Sequence, residues 1–375
     1  MNQKLQPMKP AIRSEIDRLI YFGRRCAFLS KLTWFAKSST VVLLVSGLLS
    51  AQSQAPHQAK IARWFSLDTA HLSTRYHFIE NADGTTATNN NQYQVSVRGA
   101  FKLDRSAKYS LHAGLFTGNT FPGGWNATGW GTGQGQGRFF LKQLYLSAKP
   151  VTGLEVQYGG FGFVRGQSTE ATTYDNDGYL TGERIILTRP NNFYFDEISI
   201  TYGYLGDFTT PNVIHRFDRL AQSNYHQFVL SKKLNERIRF SSEYAYDAGV
   251  DVFRQAINVG LHELHVIDRV LFEDYERISP DNGYGLGLYG EKKVYSHLTL
   301  SGGYTQIDRP GLNSDRFLQG KRLYANALFP LTSEFDITTG ITRGIGVIPP
   351  KISRTRFDLV FEYNLLHTLK RTGIF

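Results

Sequence analysis

The sequence has one cysteine and two methionines in 375 residues. The cysteine, Cys26, lies near the beginning, so the rest of the chain can form no disulfide. That suits an oxidising compartment, where stray thiols would be trapped. Long hydrophobic runs are also missing. Hydrophobic residues make up 41% of the chain, yet the mean hydropathy is −0.30. The one extended apolar run, Thr40 to Leu49, falls well short of the roughly 20 residues a membrane-spanning helix needs. A helical membrane protein is therefore excluded. The excess of positive charge, +10 in total, is concentrated at the start, where residues 1–55 hold eight Lys/Arg against two Asp/Glu. Residues 56–375 carry only +4, so the basic balance is no argument for nucleic-acid binding.

The beginning has its own pattern. Arg24, Arg25, Lys31 and Lys37 precede the apolar run, and Ala51-Gln52-Ser53-Gln54-Ala55 comes directly after it. A basic region, an apolar stretch and small residues before a cut describe a secretory signal. Cleavage is expected after Ala55, with an uncleaved anchor as the competing reading and Met8 as an alternative start. Arg24-Arg25 fits a twin-arginine signal poorly. Cys26 precedes the apolar run and is not placed as a lipid acceptor. The expected organisation is a leader over 1–55 and one domain over 56–375.

That domain is dominated by alternation in segments of about ten residues. In Tyr93 to Leu103, Tyr93, Val95, Val97, Phe101 and Leu103 fall on one face, and Gln94, Ser96, Arg98 and Lys102 on the other. Such a strand has one apolar and one polar wall. Segments near 62–79, 92–103, 108–117, 138–148, 153–163, 182–189, 194–205, 224–233, 237–247, 252–262, 264–272, 283–292, 296–306, 321–329, 334–345 and 354–365 read the same way, sixteen strands in all. Over 252–278, Phe253, Ile257, Leu261, Leu264, Ile267 and Leu271 also fit a helical stripe. A helix there would leave fourteen.

A soluble sandwich alternates too. Three features favour a membrane. Tight connections (104–107, 150–153, 234–236) alternate with long polar ones (118–137, 164–182, 206–223, 307–320), as in barrels with short turns on one side and long loops on the other. Tyr93, Tyr109, Phe139, Tyr158, Tyr202, Tyr204, Tyr244, Tyr246, Tyr304 and Tyr363 crowd the strand ends, where aromatic rings meet the lipid–water interface. An exported chain with no spanning helix can enter a bilayer only as a closed barrel. On these features residues 56–375 resemble the porin-like outer-membrane barrels of Gram-negative bacteria. Phe375 is similar to the C-terminal aromatic that barrel-assembly machinery reads in that class. The resemblance implies an all-β, closed antiparallel transmembrane β-barrel of 14–16 strands. It also implies integral placement in the outer membrane, with lipid, lipopolysaccharide and the assembly machinery as partners. The tail, 364–375, alternates badly and is expected to trail into the periplasm. Oligomeric state is not legible.

Sites for chemistry are sparse. His71 and Ser73 share a strand face, as a nucleophile and its base would, but no orienting acid is evident. Asp175 and Asp177 precede Gly178 as in a calcium loop, yet Arg184 stands where that loop needs an acid. Asn126-Ala127-Thr128 is a glycosylation triplet without bearing in a bacterium. The Gly-rich stretch 123–137 lacks the lysine of a phosphate loop. Its Trp125 and Trp130 could stack on sugars or cover a barrel mouth. Nothing calls for a metal or cofactor, and nothing supports an enzyme.

Polar-face positions hold both signs: Arg75, Arg98, Lys102, Arg239, Arg322 and Arg356 against Glu155, Glu197, Glu243, Glu291, Asp336, Asp358 and Glu362. The expected function is passive diffusion of small hydrophilic solutes through a water-filled lumen, which a barrel of this size leaves open. The candidate constriction is the loop 164–182. The pore residues expected with it are Arg98, Arg165, Glu170, Asp175, Asp177, Glu183, Arg184, Arg189, Arg239 and Glu243. The other readings are an adhesion barrel with a blocked lumen and a lipid hydrolase.

Overall fold

A computed structural model describes residues 64–120, 123–130, 139–169, 173, 178–206, 209–261, 266–309, 319–350 and 352–372. The leader expected over 1–55 and Phe375 lie outside them. The strands are β1 (Phe65–Asn81), β2 (Thr86–Lys102), β3 (Tyr109–Phe116), β4 (Gly129–Trp130), β5 (Phe140–Ala148), β6 (Leu154–Phe161), β7 (Leu180–Thr188), β8 (Glu197–Tyr204) and β9 (Tyr225–Lys233). They continue as β10 (Ile238–Asp247), β11 (Val250–Gly260), β12 (Arg269–Ser279), β13 (Gly283–Tyr295), β14 (Leu298–Ile307), β15 (Gly320–Pro330), β16 (Phe335–Ile345) and β17 (Ser353–Asn364).

Each wall strand pairs antiparallel with the next, and β1 pairs with both β2 and β17. The result is a closed sixteen-stranded antiparallel barrel. The two-residue β4 is additional, a short ladder on Asn91 and Gln92 of β2. Closure leaves no wall strand with an unpaired edge, the condition for crossing lipid on strands. No described helix is long and apolar enough to span a membrane.

Alternation decides which face is which. On β10, Ser241, Glu243, Ala245 and Asp247 are buried on one face, while Tyr244 is exposed on the other. The same rule turns Leu72, Phe101, Leu146, Ile185, Ile200, Phe228, Leu288, Leu300, Leu323 and Ile341 outward, all exposed. It turns Ser73, Arg75, His77, Gln143, Arg184, Thr201, Gln227, Arg254 and Arg322 inward, all buried. The apolar face is outside and the polar face inside, the reverse of a soluble sandwich.

The long connections, 117–139, 162–179, 205–224 and 308–319, all leave from one end of the barrel. Connections at the other end are short, and side chains tie them. Asp196 accepts hydrogen bonds from the Lys233 and Asn191 amides at 2.5 and 3.0 Å. These donors hold its carboxyl below the usual range. At the long-loop end, Ala248 and Gly249, with φ of 48° and 101°, close β10 onto β11 as a tight hairpin that needs both residues left-handed.

The helical alternative over 252–278 is overturned, because both β11 and β12 are strands. Phe253 and Ile257 stand four apart, a spacing that a period of 2 and a period of 3.6 both satisfy. The second strand starts later than the expected 264–272, at Arg269. The tail does not simply trail away. Residues Leu365–Arg371 form a helix, α1, whose first turn is capped by the Asn364 side chain at 3.2 Å from the His367 amide. Leu366 is buried, Tyr363 Oη meets Thr368 Oγ1 at 2.6 Å, and Arg371 pairs with Glu334 at 3.0 Å.

One backbone position has no freedom. Gly159 on β6 has φ +129°, and a Cβ there would stand 2.5 Å from the Leu144 carbonyl oxygen. Gly159→Ala should cost about 1–3 kcal/mol, the scale of a strained residue in a rigid surround. Thermal unfolding of the purified barrel, read by its shift in electrophoretic mobility, checks this. An unchanged transition would refute it.

Candidate functional site

The lumen is crossed by the start of the β6–β7 connection. β6 ends at Phe161, and the chain then leaves the wall and runs to the inner faces of β9–β12. Gln227 Nε2 donates to the Val164 carbonyl at 2.8 Å. The Gln167 amide donates to Ser241 Oγ at 2.8 Å, and Asn258 donates to Gln167 Oε1 at 3.4 Å. The Thr169 amide donates to Glu273 Oε2 at 2.8 Å, and the Thr169 hydroxyl donates to the other oxygen of the same carboxylate. Gly166, with φ +58°, lies so close that a Cβ would stand 2.7 Å from that of Ser241. Four strands thus hold this segment, and Glu273, 2% exposed, is its strongest anchor.

A second connection lies against the opposite wall. Thr117 Oγ1 donates to the Gly124 carbonyl at 2.9 Å, and Lys142 Nζ donates to the Thr120 and Gly123 carbonyls at 2.8 and 2.7 Å. Gln92 donates to the Trp125 carbonyl at 3.3 Å, and the Arg75 guanidinium sits 4.5 Å from the Trp125 ring centre. Trp125 is therefore stacked on a lumen arginine.

The charges of the inner face are mostly joined across strands. Asp358 on β17 meets His77 at 2.6 Å, Arg356 at 2.7 Å and Arg75 at 3.7 Å. Arg254 pairs with Glu243 at 2.8 Å, with Gln227 on the same carboxylate oxygen at 2.9 Å. Pairing of this kind compensates most of the cost of keeping charge off bulk water.

The ten expected pore residues fall in different places. Arg98 is on the inner face of β2, its guanidinium 4.7 Å from the Phe116 ring. Arg165 lies within the crossing segment, and its carbonyl accepts the Ser168 amide at 3.0 Å. Arg184 faces inward, donates to Thr201, Gln157 and the Gly162 carbonyl at 2.9, 3.2 and 2.6 Å, and so secures the root of that segment. Glu243 is inward and buried. Arg239 lies on the inner face near the short-turn end, opposite Lys233 and Asn258.

Two of them are elsewhere. Glu183 is paired with Tyr158 and Tyr202, both exposed on the outside, so it faces out. The glycine pair Gly159↔Gly182 takes the inward place beside it. Arg189 comes after β7 at the short-turn end, where its amide bonds the Asp196 carbonyl, a whole strand away from the loop it was expected to flank. Glu170, Asp175 and Asp177 lie outside the described residues, as does any calcium loop they would make.

Sequence reasoning missed Glu273, Thr169, Ser241 and Asn258. The signal for Glu273 was available only once β12 was accepted as a strand, because its inward position depends on that parity. His71 gains the acid it lacked, at 3.1 Å from Glu362, but Ser73 Oγ donates to the same carboxylate at 3.4 Å. Serine and histidine share an acceptor there, which is not the order of a nucleophile and its base.

No family model matches the chain, and no curated protein does. Among solved structures, OprB of Pseudomonas putida matches with a TM-score of 0.53 at 11% identity, over 82% of this chain and 95% of that one. Engineered proteins described for asymmetric conductivity match at 0.50 and 12% identity, over 80% and 99%. A variant of the Rhodopseudomonas blastica porin matches at 0.49 and 11%, again over 80% and 99%. At such identity the likeness concerns architecture. The chain has the fold of the porin-like outer-membrane β-barrels.

Proposed function

We propose that the barrel is a channel in the outer membrane of a Gram-negative bacterium, admitting small hydrophilic solutes by passive diffusion. The observation that carries this reading is the tethered segment 162–169. It lies across a polar-walled barrel of a size that leaves an aqueous interior and narrows that interior from within. A loop serving only the cell surface has no need of anchors on four inner strands. The solved barrels it resembles include proteins described by their conductivity, which agrees with a channel. Mixed charge beside a constriction sets the local ion concentration.

The experiment is planar-bilayer conductance of the refolded protein, with reversal potential in a salt gradient. Discrete conductance steps are expected. Shortening Ser168 to Asp177 should raise the step size. Asp175→Asn with Asp177→Asn should move selectivity towards anions, and the shift should shrink at 1 M salt, where the Debye length is about 3 Å. A silent wild-type barrel would overturn the channel in favour of a blocked, surface-binding barrel.

A further inference from the structure

The lumen is not filled evenly. The described tethers of the inward connections reach β2, β5, β7 and β9–β12. A short helix, Val213–Arg219, fills more of the same side. Its Val213 is buried among Phe161, Tyr179, Leu180, Leu205 and Tyr225. None of these tethers goes to β13–β16. The inward positions of those strands include Gly287, Ser301, Gly303 and Gly340, all small. The open lane of the lumen therefore runs along β13–β16.

Two rings face that lane. Tyr289 on β13 and Tyr324 on β15 stand on either side of Gly303 on β14, in one row. Their centres are 6.4 Å apart and their planes 23° from parallel. They lean over the bare β14 backbone, where a Cβ on Gly303 would stand 2.8 Å from Tyr324 Oη. Both rings are half-buried, so part of each packs and the rest meets the lumen. The next row towards the short-turn end is Glu291, Ser301 and Asn326. Glu291 Oε2 accepts from Tyr289 Oη at 2.7 Å and from Arg269 Nη2 at 3.0 Å. The Arg269 guanidinium lies 5.3 Å from the Tyr289 ring centre. The Asn326 side chain is half-buried, and no described residue hydrogen-bonds it.

We propose that these two rows form a binding site for a neutral saccharide on its way through the channel. A pyranose ring has a flat face of C–H groups and a rim of hydroxyls. The flat face matches the tyrosine patch, and their contact takes apolar surface out of water. The rim meets Glu291, which accepts, Ser301, which donates and accepts, and Asn326, whose amide offers two donors and an acceptor. A few polar groups beside an aromatic wall are the usual make-up of a small-molecule site. The charge of Glu291 is already met by Arg269, so a charged solute gains no counter-ion in this row. Trp125, a sugar-stacking candidate in the sequence, carries Arg75 on its ring instead. The inference rests on the channel reading above and names the class of solute that the channel passes.

The test uses the refolded full chain in planar bilayers, with maltotriose as the probe. Polyethylene glycol of equal size controls for volume, and sorbitol, a polyol without a ring, controls for hydroxyls. Maltotriose should lower the conductance step with a saturating dependence on concentration, and neither control should saturate. Tyr289→Ala with Tyr324→Ala should raise the half-blocking concentration about tenfold, because the apolar patch is lost. Tyr324→Phe keeps the ring and should keep the block. Asn326→Leu repeats the test at the polar row if the double variant folds poorly. In a conducting barrel, the absence of saturable block by maltotriose overturns the proposal. So does equal block by either control, or an unchanged half-blocking concentration in both the double alanine and the Asn326→Leu variants. Titration calorimetry in detergent separates the two readings. Heat of maltotriose binding from a barrel that carries no current supports the site and counts against the channel alone, whereas no heat from such a barrel overturns the site as well.

Discussion

Ile341→Arg should destabilise the barrel by about 2–4 kcal/mol, while Thr338→Arg on the same strand should cost little. Ile341 is exposed on the outside of β16, near its centre. A guanidinium there must leave water for hydrocarbon or bend towards the interface. Thr338 points the other way, opposite Leu328 and Val360, where an arginine joins a wall that already holds Arg356 and Asp358. The difference is large because it compares two solvents on the two faces of one strand. Unfolding in urea, with refolding yield into lipid vesicles, measures it. Equal losses for the two variants would reverse the assignment of inside and outside, and with it every statement about the lumen.

Thr169→Val should free the crossing segment. The Thr169 hydroxyl and amide occupy both oxygens of Glu273. Removing the hydroxyl leaves a buried carboxylate with one fewer donor, at a cost of about 1–3 kcal/mol. A change of that size moves a docking equilibrium roughly 5–150-fold. The channel should then open to a larger and noisier step, with the barrel's thermal transition nearly unchanged, because the segment is not part of the wall. Glu273→Gln should act in the same direction, keeping one acceptor and losing the charge. Identical current traces for wild type and both variants would place segment 162–169 outside the conduction path.

Much of the wall was legible because a strand announces its faces locally. Tyr93 to Leu103 could be divided into inside and outside from eleven letters, and the alternation of short and long connections set the parity of the count. The uncertain pair, β11 and β12, shows the limit. Four-residue spacings do not separate a strand from a helix, so Glu273 and Asp274, one facing inward and the other outward, were unreadable from either period. The site was less legible still. Glu183 and Arg184 are neighbours in sequence, and only pairing with β6 and β8 shows that the first faces out and the second in. The partners of segment 164–169 come from residues 63–104 positions away, and nothing local marks them.

The seam that closes the barrel has a consequence for assembly. β1 and β17 come from opposite ends of the sheet, and their joint carries more charge than pattern alone requires: His71 and Ser73 on Glu362, His77 and Arg75 on Asp358. Each wall strand has two neighbours, but this pair joins the first wall strand to the last, across 280 or more residues. A slip of one residue would turn Asp358 and Glu362 towards lipid and Phe357 and Phe361 towards water. A slip of two would keep the faces but mismatch the ionic partners. The clasp therefore acts as a key for the register of the closing joint, rejecting both the odd error that hydrophobicity detects and the even error that it cannot.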